Sequence, residues 1–185
     1  MVYLRRLVWF IASRLILVCI IFGMLVCGFY MGLNTANIYV ILTDGLERRA
    51  DVILTQEDAE NLNLYFHADF LSTDPALEGA FDGSSVYDDY NITDFDYELT
   101  IEKLWAWPWD SYATCTVTER VPGITGSVIS SRRSEVSSEI PAWQGGRYDI
   151  TLVKQNGTSK IIGMQQRTVL IEPAATQTPE PTSET

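Results

Sequence analysis

The chain has 185 residues, 24 of them acidic and 13 basic, for a net charge of −11. Phosphate backbones and anionic lipid surfaces would be repelled by such a balance, so nucleic-acid binding and peripheral binding to anionic lipid are excluded as leading functions. Three cysteines, two of them inside an apolar run, leave no intrachain disulfide to staple a secreted scaffold.

The first fourteen residues carry Arg5, Arg6 and Arg14 among Tyr3, Trp9 and Phe10. They are expected to lie in the cytoplasm or at the membrane surface, with arginines reaching the headgroups. Leu15–Leu33 follows, nineteen residues without a charge. At about 1.5 Å per residue this run crosses the hydrocarbon core as a helix, the form that pairs its own backbone there. It exceeds the apolar region of a cleaved signal, and Asn34 and Ala36 make a poor cleavage site, so an uncleaved transmembrane helix is expected. The arginines before it, and the lack of basic residues until Arg48 and Arg49, place the N-terminus in the cytoplasm and the rest outside. The expected location is a single-pass anchor in a cell membrane, with the bilayer as partner through Leu15–Leu33.

Residues 34–54 keep helical spacing through Ile38, Ile41, Leu42, Leu46, Arg49, Val52 and Ile53, which predicts a juxtamembrane helix with a bend near Gly45. Residues 55–172 are then expected to form one exported domain; the roughly 135 residues of Asn37–Glu172 suffice for one core. Thr55-Gln56-Glu57-Asp58 reads as a capped start to a second helix, with Leu62, Tyr65, Phe66 and Phe70 as its apolar stripe. Pro75 disfavours helical geometry at Asp74 and ends it.

Between Arg49 and Lys103 fall fourteen acidic residues and no basic one. A Ca²⁺ site would draw on Asp82, Asp88, Asp89, Asp94 and Asp96, but their spacing does not match an EF-hand loop. The preferred reading is a solvated acidic face. Phe95, Tyr97, Leu99, Ile101, Trp105, Trp107 and Trp109 occupy alternate positions, interrupted by Lys103, which predicts a sheet with one buried and one wet face. Ala113, Cys115 and Val117 continue it, after a turn at Trp107-Pro108-Trp109-Asp110. Val121–Gln144 reads as a long loop around a short strand. Arg147–Lys154 and Lys160–Gln166 flank Asn156-Gly157, a strong hairpin signal because both residues tolerate positive φ. Residues 173–185, rich in Pro, Thr and Glu, read as a disordered tail.

The predicted class is α+β: an N-terminal transmembrane helix, then helices packed on a curved, cone-like antiparallel sheet. The pattern over about Asp51–Ile171 resembles the nuclear transport factor 2-like (cystatin-like) superfamily. The capped segment Thr55–Leu71, with Tyr65-Phe66 and Phe70-Leu71, carries the likeness, together with the hairpin from Arg147 through Asn156-Gly157 into Lys160-Ile161-Ile162. The final hairpin of that superfamily often has Trp two residues after the Gly; here Ser159 stands there. The resemblance implies a cone that can hold an inward Asp, His or Tyr, and dimerisation through the open sheet face. Membrane-tethered exported members include periplasmic domains of type IV secretion and conjugation proteins.

Candidate chemistry is sparse. His67 is the sole histidine, and with Asp69 and Tyr65 it forms the candidate pocket set, although positions 67 and 69 do not share a helix face. A lone His and a lone exported Cys do not make a zinc site. No catalytic triad, phosphate-cradling loop or dinucleotide motif is present, and no cofactor or metal is expected. Trp105, Trp107 and Trp109 are the candidate binding residues. They suit core or dimer packing, an exposed patch for a partner, or the bilayer surface. The expected function is a membrane-anchored, non-enzymatic binding or assembly domain of the cell envelope; a cone-pocket ligand binder or enzyme is the alternative.

Overall fold

The computed structural model describes residues 2–56, 59 and 61–171. Helix α1 spans Val2–Thr55 without interruption. From Val8 to Leu33 every side chain is exposed, and Asn34 is the next residue and is partly covered. The helix is long and apolar enough to cross a membrane. Its second part changes character: Ile38, Ile41, Leu42, Leu46, Arg49, Ala50, Val52, Ile53 and Leu54 are all buried. The expected division into a span and a separate juxtamembrane helix is thus one rod with two environments. Gly45 is no breaking point. A Cβ there would sit 2.8 Å from the Cβ of Tyr65, so the glycine lets the next segment approach the helix closely.

Thr55 closes α1 rather than opening a second helix. Its hydroxyl donates back to the Asp51 carbonyl at 2.7 Å, and Gln56 leaves the helix at φ 58°. Glu57 and Asp58 of the expected capping box lie outside the described residues. The single helix expected over Thr55–Leu71 is two short ones, α2 (Leu62–Tyr65) and α3 (Ala68–Leu71). Between them Phe66 is extended, fully buried and bridged to Ile161, and His67 N–H donates to the Ile161 carbonyl at 2.8 Å. Pairing with the sheet overrides the helical spacing. Asp74 caps α4 (Pro75–Asp82), its carboxylate accepting from Ala76 N–H, with Pro75 in the first turn where its missing N–H costs nothing.

Four strands form an antiparallel meander in the order β1 (Tyr90–Trp105), β2 (Tyr112–Val128), β3 (Gln144–Gln155) and β4 (Thr158–Ile171). The Asn156-Gly157 turn joins β3 and β4 with φ of 54° and 84°, the two positive values that a two-residue hairpin needs. On β2, Ala113, Cys115, Val117, Glu119 and Val121 are buried while Thr114, Thr116 and Thr118 face away. The stretch read as mostly loop after Val121 continues β2 to Val128, paired with the start of β1. Side chains from α1, α2, α4 and the buried face of the sheet form one core cluster. The architecture is α+β. The tail expected at 173–185 lies outside the described residues.

Candidate functional site

Two features stand out on this frame: a tryptophan turn beside the end of the apolar run, and a buried polar cluster that ties α1 to the sheet.

The turn arises from a break in strand alternation. Phe95, Tyr97, Leu99 and Ile101 point inward in phase, but a bulge between Ile101 and Lys103 inserts a residue. Leu104 takes the inner position and Trp105 moves to the outer one, 59 % exposed. The strand ends there, so Trp107 and Trp109 are not strand residues, and the period-two expectation fails beyond Lys103 for this reason. Trp107 accepts a backbone hydrogen bond from Asp110 N–H at 3.1 Å, closing the turn. Trp107 packs edge-on to Trp105 at 5.7 Å and stacks on Trp109 at 5.0 Å between ring centroids. Trp109 is 66 % exposed and the neighbouring Tyr112 is 62 % exposed.

Strand β3 pins this turn. Lys154 donates its backbone N–H to the Ser111 carbonyl at 2.8 Å and its Nζ to the Pro108 carbonyl at 3.1 Å. Trp107, Asp110, Tyr112 and Ala113 line one crevice together with Asn34 and Ile38 of α1. Trp107 therefore sits beside the residue that follows the apolar run, with Trp105 and Trp109 packed on it.

The second feature lies deeper. Arg49 donates Nε–H to Asp74 Oδ2 at 2.6 Å and Nη2–H to Asp74 Oδ1 at 3.0 Å, with both side chains buried. Glu119 is fully buried on β2 nearby, and Tyr97 OH donates to its Oε1 at 3.1 Å. Its Oε2 has no hydrogen-bond partner, and the Trp143 indole N–H beside it makes no well-aligned bond. Burial raises the Glu119 carboxyl above the usual carboxylate range, against the opposing charge of Arg49. Burial, then the charge of Glu119, also pushes Tyr97 upward and Tyr148 up to about 12. This cluster escaped the sequence reading, although its signals were present. Arg49 stands in the apolar stripe of α1, and Glu119 stands two positions beyond Val117 in the inward register of β2.

The pocket candidates are placed otherwise. His67 caps α3, its Nδ1 accepting from Asp69 N–H at 3.3 Å, while the Asp69 side chain is almost wholly exposed. Tyr65 lies against Gly45. None of the three lines a hollow of about 720 Å³ that opens on the opposite, polar face of the sheet beside Lys103, Thr116, Asp149, Gln165 and Arg167. There Asp149 accepts from Thr116 at 3.0 Å and from Arg167 at 2.7 Å, and Arg147 pairs with Glu102 at 2.5 Å. Hydrogen bonding to Arg167 holds the Asp149 carboxyl below the usual range. Cys115 is buried behind that face, its thiol pushed up to about 12 by burial, which keeps it protonated and unreactive. Among the described residues no group of three His, Cys, Asp or Glu is placed to hold a metal ion. Of the acidic loop, Asp88 bonds Gln56, Asp82 accepts from Ser84 N–H at 2.9 Å, and Asp89 lies 3.5 Å from Arg132.

No protein-family model matches the chain, and no curated protein is significantly similar to it. Among solved structures it is similar to the Kfla4162 protein from Kribbella flavida, at 12% identity and a TM-score of 0.49, over 76% of this chain and 96% of that one. A likeness at this level assigns no family.

Proposed function

We propose that this chain is a membrane-anchored extracytoplasmic domain with a non-enzymatic binding or assembly role, of nuclear transport factor 2-like type. The observation that carries the reading is the uninterrupted α1, which leads from an exposed apolar run straight into the buried core. A domain joined to its anchor by a flexible linker would tumble. One whose anchor is also its core helix keeps a constant face toward the membrane and a constant face away. Arginines before the apolar run, and the lack of a basic residue between it and Arg48, support an N-terminus in the cytoplasm.

The partner surface in this reading is the polar face of the sheet, where Glu102, Arg147, Asp149 and Arg167 alternate in sign around the hollow. Such a face suits a second protein or a second copy of this chain. A photo-cross-linking side chain at Gln165, in membranes, is expected to yield a higher-mass adduct that the same group at Leu64 does not. Monomer alone from both positions contradicts the assembly role. A C-terminal reporter active only in the cytoplasm is expected to stay silent, and signal from it would overturn the orientation.

A further inference from the structure

From the register between the apolar run and the tryptophan turn, we infer that Trp105 and Trp109 are seated in the phospholipid interface, making the turn a second contact of the domain with the bilayer. The inference rests on the anchored reading of α1. Leu33 ends the apolar run, and Asn34 lines the same crevice as Trp107. When Leu33 lies at the edge of the hydrocarbon, the turn lies in the zone of glycerol, carbonyl and headgroup groups. Tryptophan favours that zone, because its ring is apolar and its N–H finds an acceptor there.

The exposure of these rings also needs a cover. Trp105, Trp109 and Tyr112 are each more than half exposed on one edge of the molecule, whereas soluble surfaces seldom gather large aromatic groups. The bulge at Ile101/Lys103 turns Trp105 outward, away from the core. The other end of the helix shows the matching feature. Trp9 and Phe10 are exposed before the run, and Trp9 to Asn34 spans about 38 Å of helix at about 1.5 Å per residue. That length exceeds the roughly 30 Å of the hydrocarbon core and stays within the roughly 40–45 Å that includes both headgroup zones. Two aromatic girdles at that separation bracket one membrane. Lys154 and Asp110 beside the turn supply both signs of charge, which fits a zwitterionic lipid surface despite the acidity of the domain.

The test uses the full chain with Trp9→Phe, in nanodiscs of phosphatidylcholine brominated at shallow or deep acyl positions. Trp143 is buried in the domain and gives an unquenched background. The turn is expected to show blue-shifted emission, quenched by shallow bromines more than by deep ones, and Trp105→Ser with Trp109→Ser is expected to remove most of that quenching. Both rings are exposed, so the fold tolerates the change; an unaltered near-ultraviolet signal from Trp143 checks this. A companion variant, Met24→Trp, reports on the span. Deep quenching of Met24→Trp with no quenching of the turn overturns the inference and leaves the anchor standing. No quenching of Met24→Trp overturns the anchor and the inference together.

Discussion

Arg49 of α1 grips Asp74, the cap of α4, through two parallel hydrogen bonds at 2.6 and 3.0 Å, with both side chains buried. The same carboxylate that completes the ion pair also starts a helix, by accepting from Ala76 N–H. One residue of the long helix α1 thus organises the segment that follows it. Breaking such a pair on one side strands a charge in the core. Arg49→Met is expected to lower stability by about 3–5 kcal/mol, and Arg49→Met with Asp74→Asn, which keeps an uncharged oxygen to cap α4, by clearly less. Urea unfolding of the full chain in micelles, followed by Trp143 fluorescence, measures both. Equal losses would mean that the charges do not act as a pair.

Glu119 sets a pH dependence. It is surrounded by Arg49, Asp74, Tyr97, Tyr148 and Trp143, and burial raises its folded pKa, with Arg49 opposing. In the unfolded chain a glutamate ionises near about 4.3. Between that value and the raised one the folded state holds more protons, so stability falls as pH rises through the window and levels off above it. Glu119→Gln keeps an oxygen to accept from Tyr97 and does not titrate. The urea midpoint of wild type is expected to fall relative to that of the variant as pH goes from 5 to 8. A constant difference would contradict the account.

The β3–β4 turn has its own requirement. Gly157 stands at φ 84°, where an L side chain is strained. Gly157→Val is expected to destabilise by about 1–2 kcal/mol, and Asn156→Gly to be nearly neutral. Urea midpoints of the two variants check this, and equal effects would argue against a turn with two positive φ values.

Gly45 tests packing rather than backbone freedom. Alanine has the higher helix propensity, by about 1 kcal/mol, so a solvent-facing glycine would gain from the change. Here the new Cβ meets Tyr65 at 2.8 Å, between atoms close to the backbone. Gly45→Ala is expected to destabilise, by about 1–3 kcal/mol of overpacking. A gain in the urea midpoint would show that Tyr65 moves freely.

Much of this fold is legible in the sequence because short rules govern it. Asn156-Gly157 specifies its hairpin through backbone conformation alone, and the threonines of β2 alternate with buried residues over a regular stretch. The failures have other causes. Thr55 has the right chemistry for a cap, but α1 already reaches it from the N-terminal side, and the hydroxyl bonds backward instead. Phe66 fits a helical stripe, yet pairing with Ile161 draws it into extended geometry. Trp105 follows the alternation by count, and one inserted residue reverses its face. The last two outcomes were decided by contacts distant in sequence. Glu119 was hidden for another reason: its position reads as core and its residue type as surface. The groups that support a carboxyl there, Tyr97 and Arg49, lie far from it along the chain.

The central claim is that one rigid helix carries the orientation of the domain from the bilayer. Spin labels placed singly at residues 28–46, with Cys19, Cys27 and Cys115 replaced, test it most directly in bilayers. The account predicts lipid-phase oxygen access through Leu33. From Asn34 onward it predicts mobility with a helical period, lowest at residues 38, 42 and 46, and no break between the two regimes. A mobile, aperiodic stretch between Leu33 and Ile38 would contradict it.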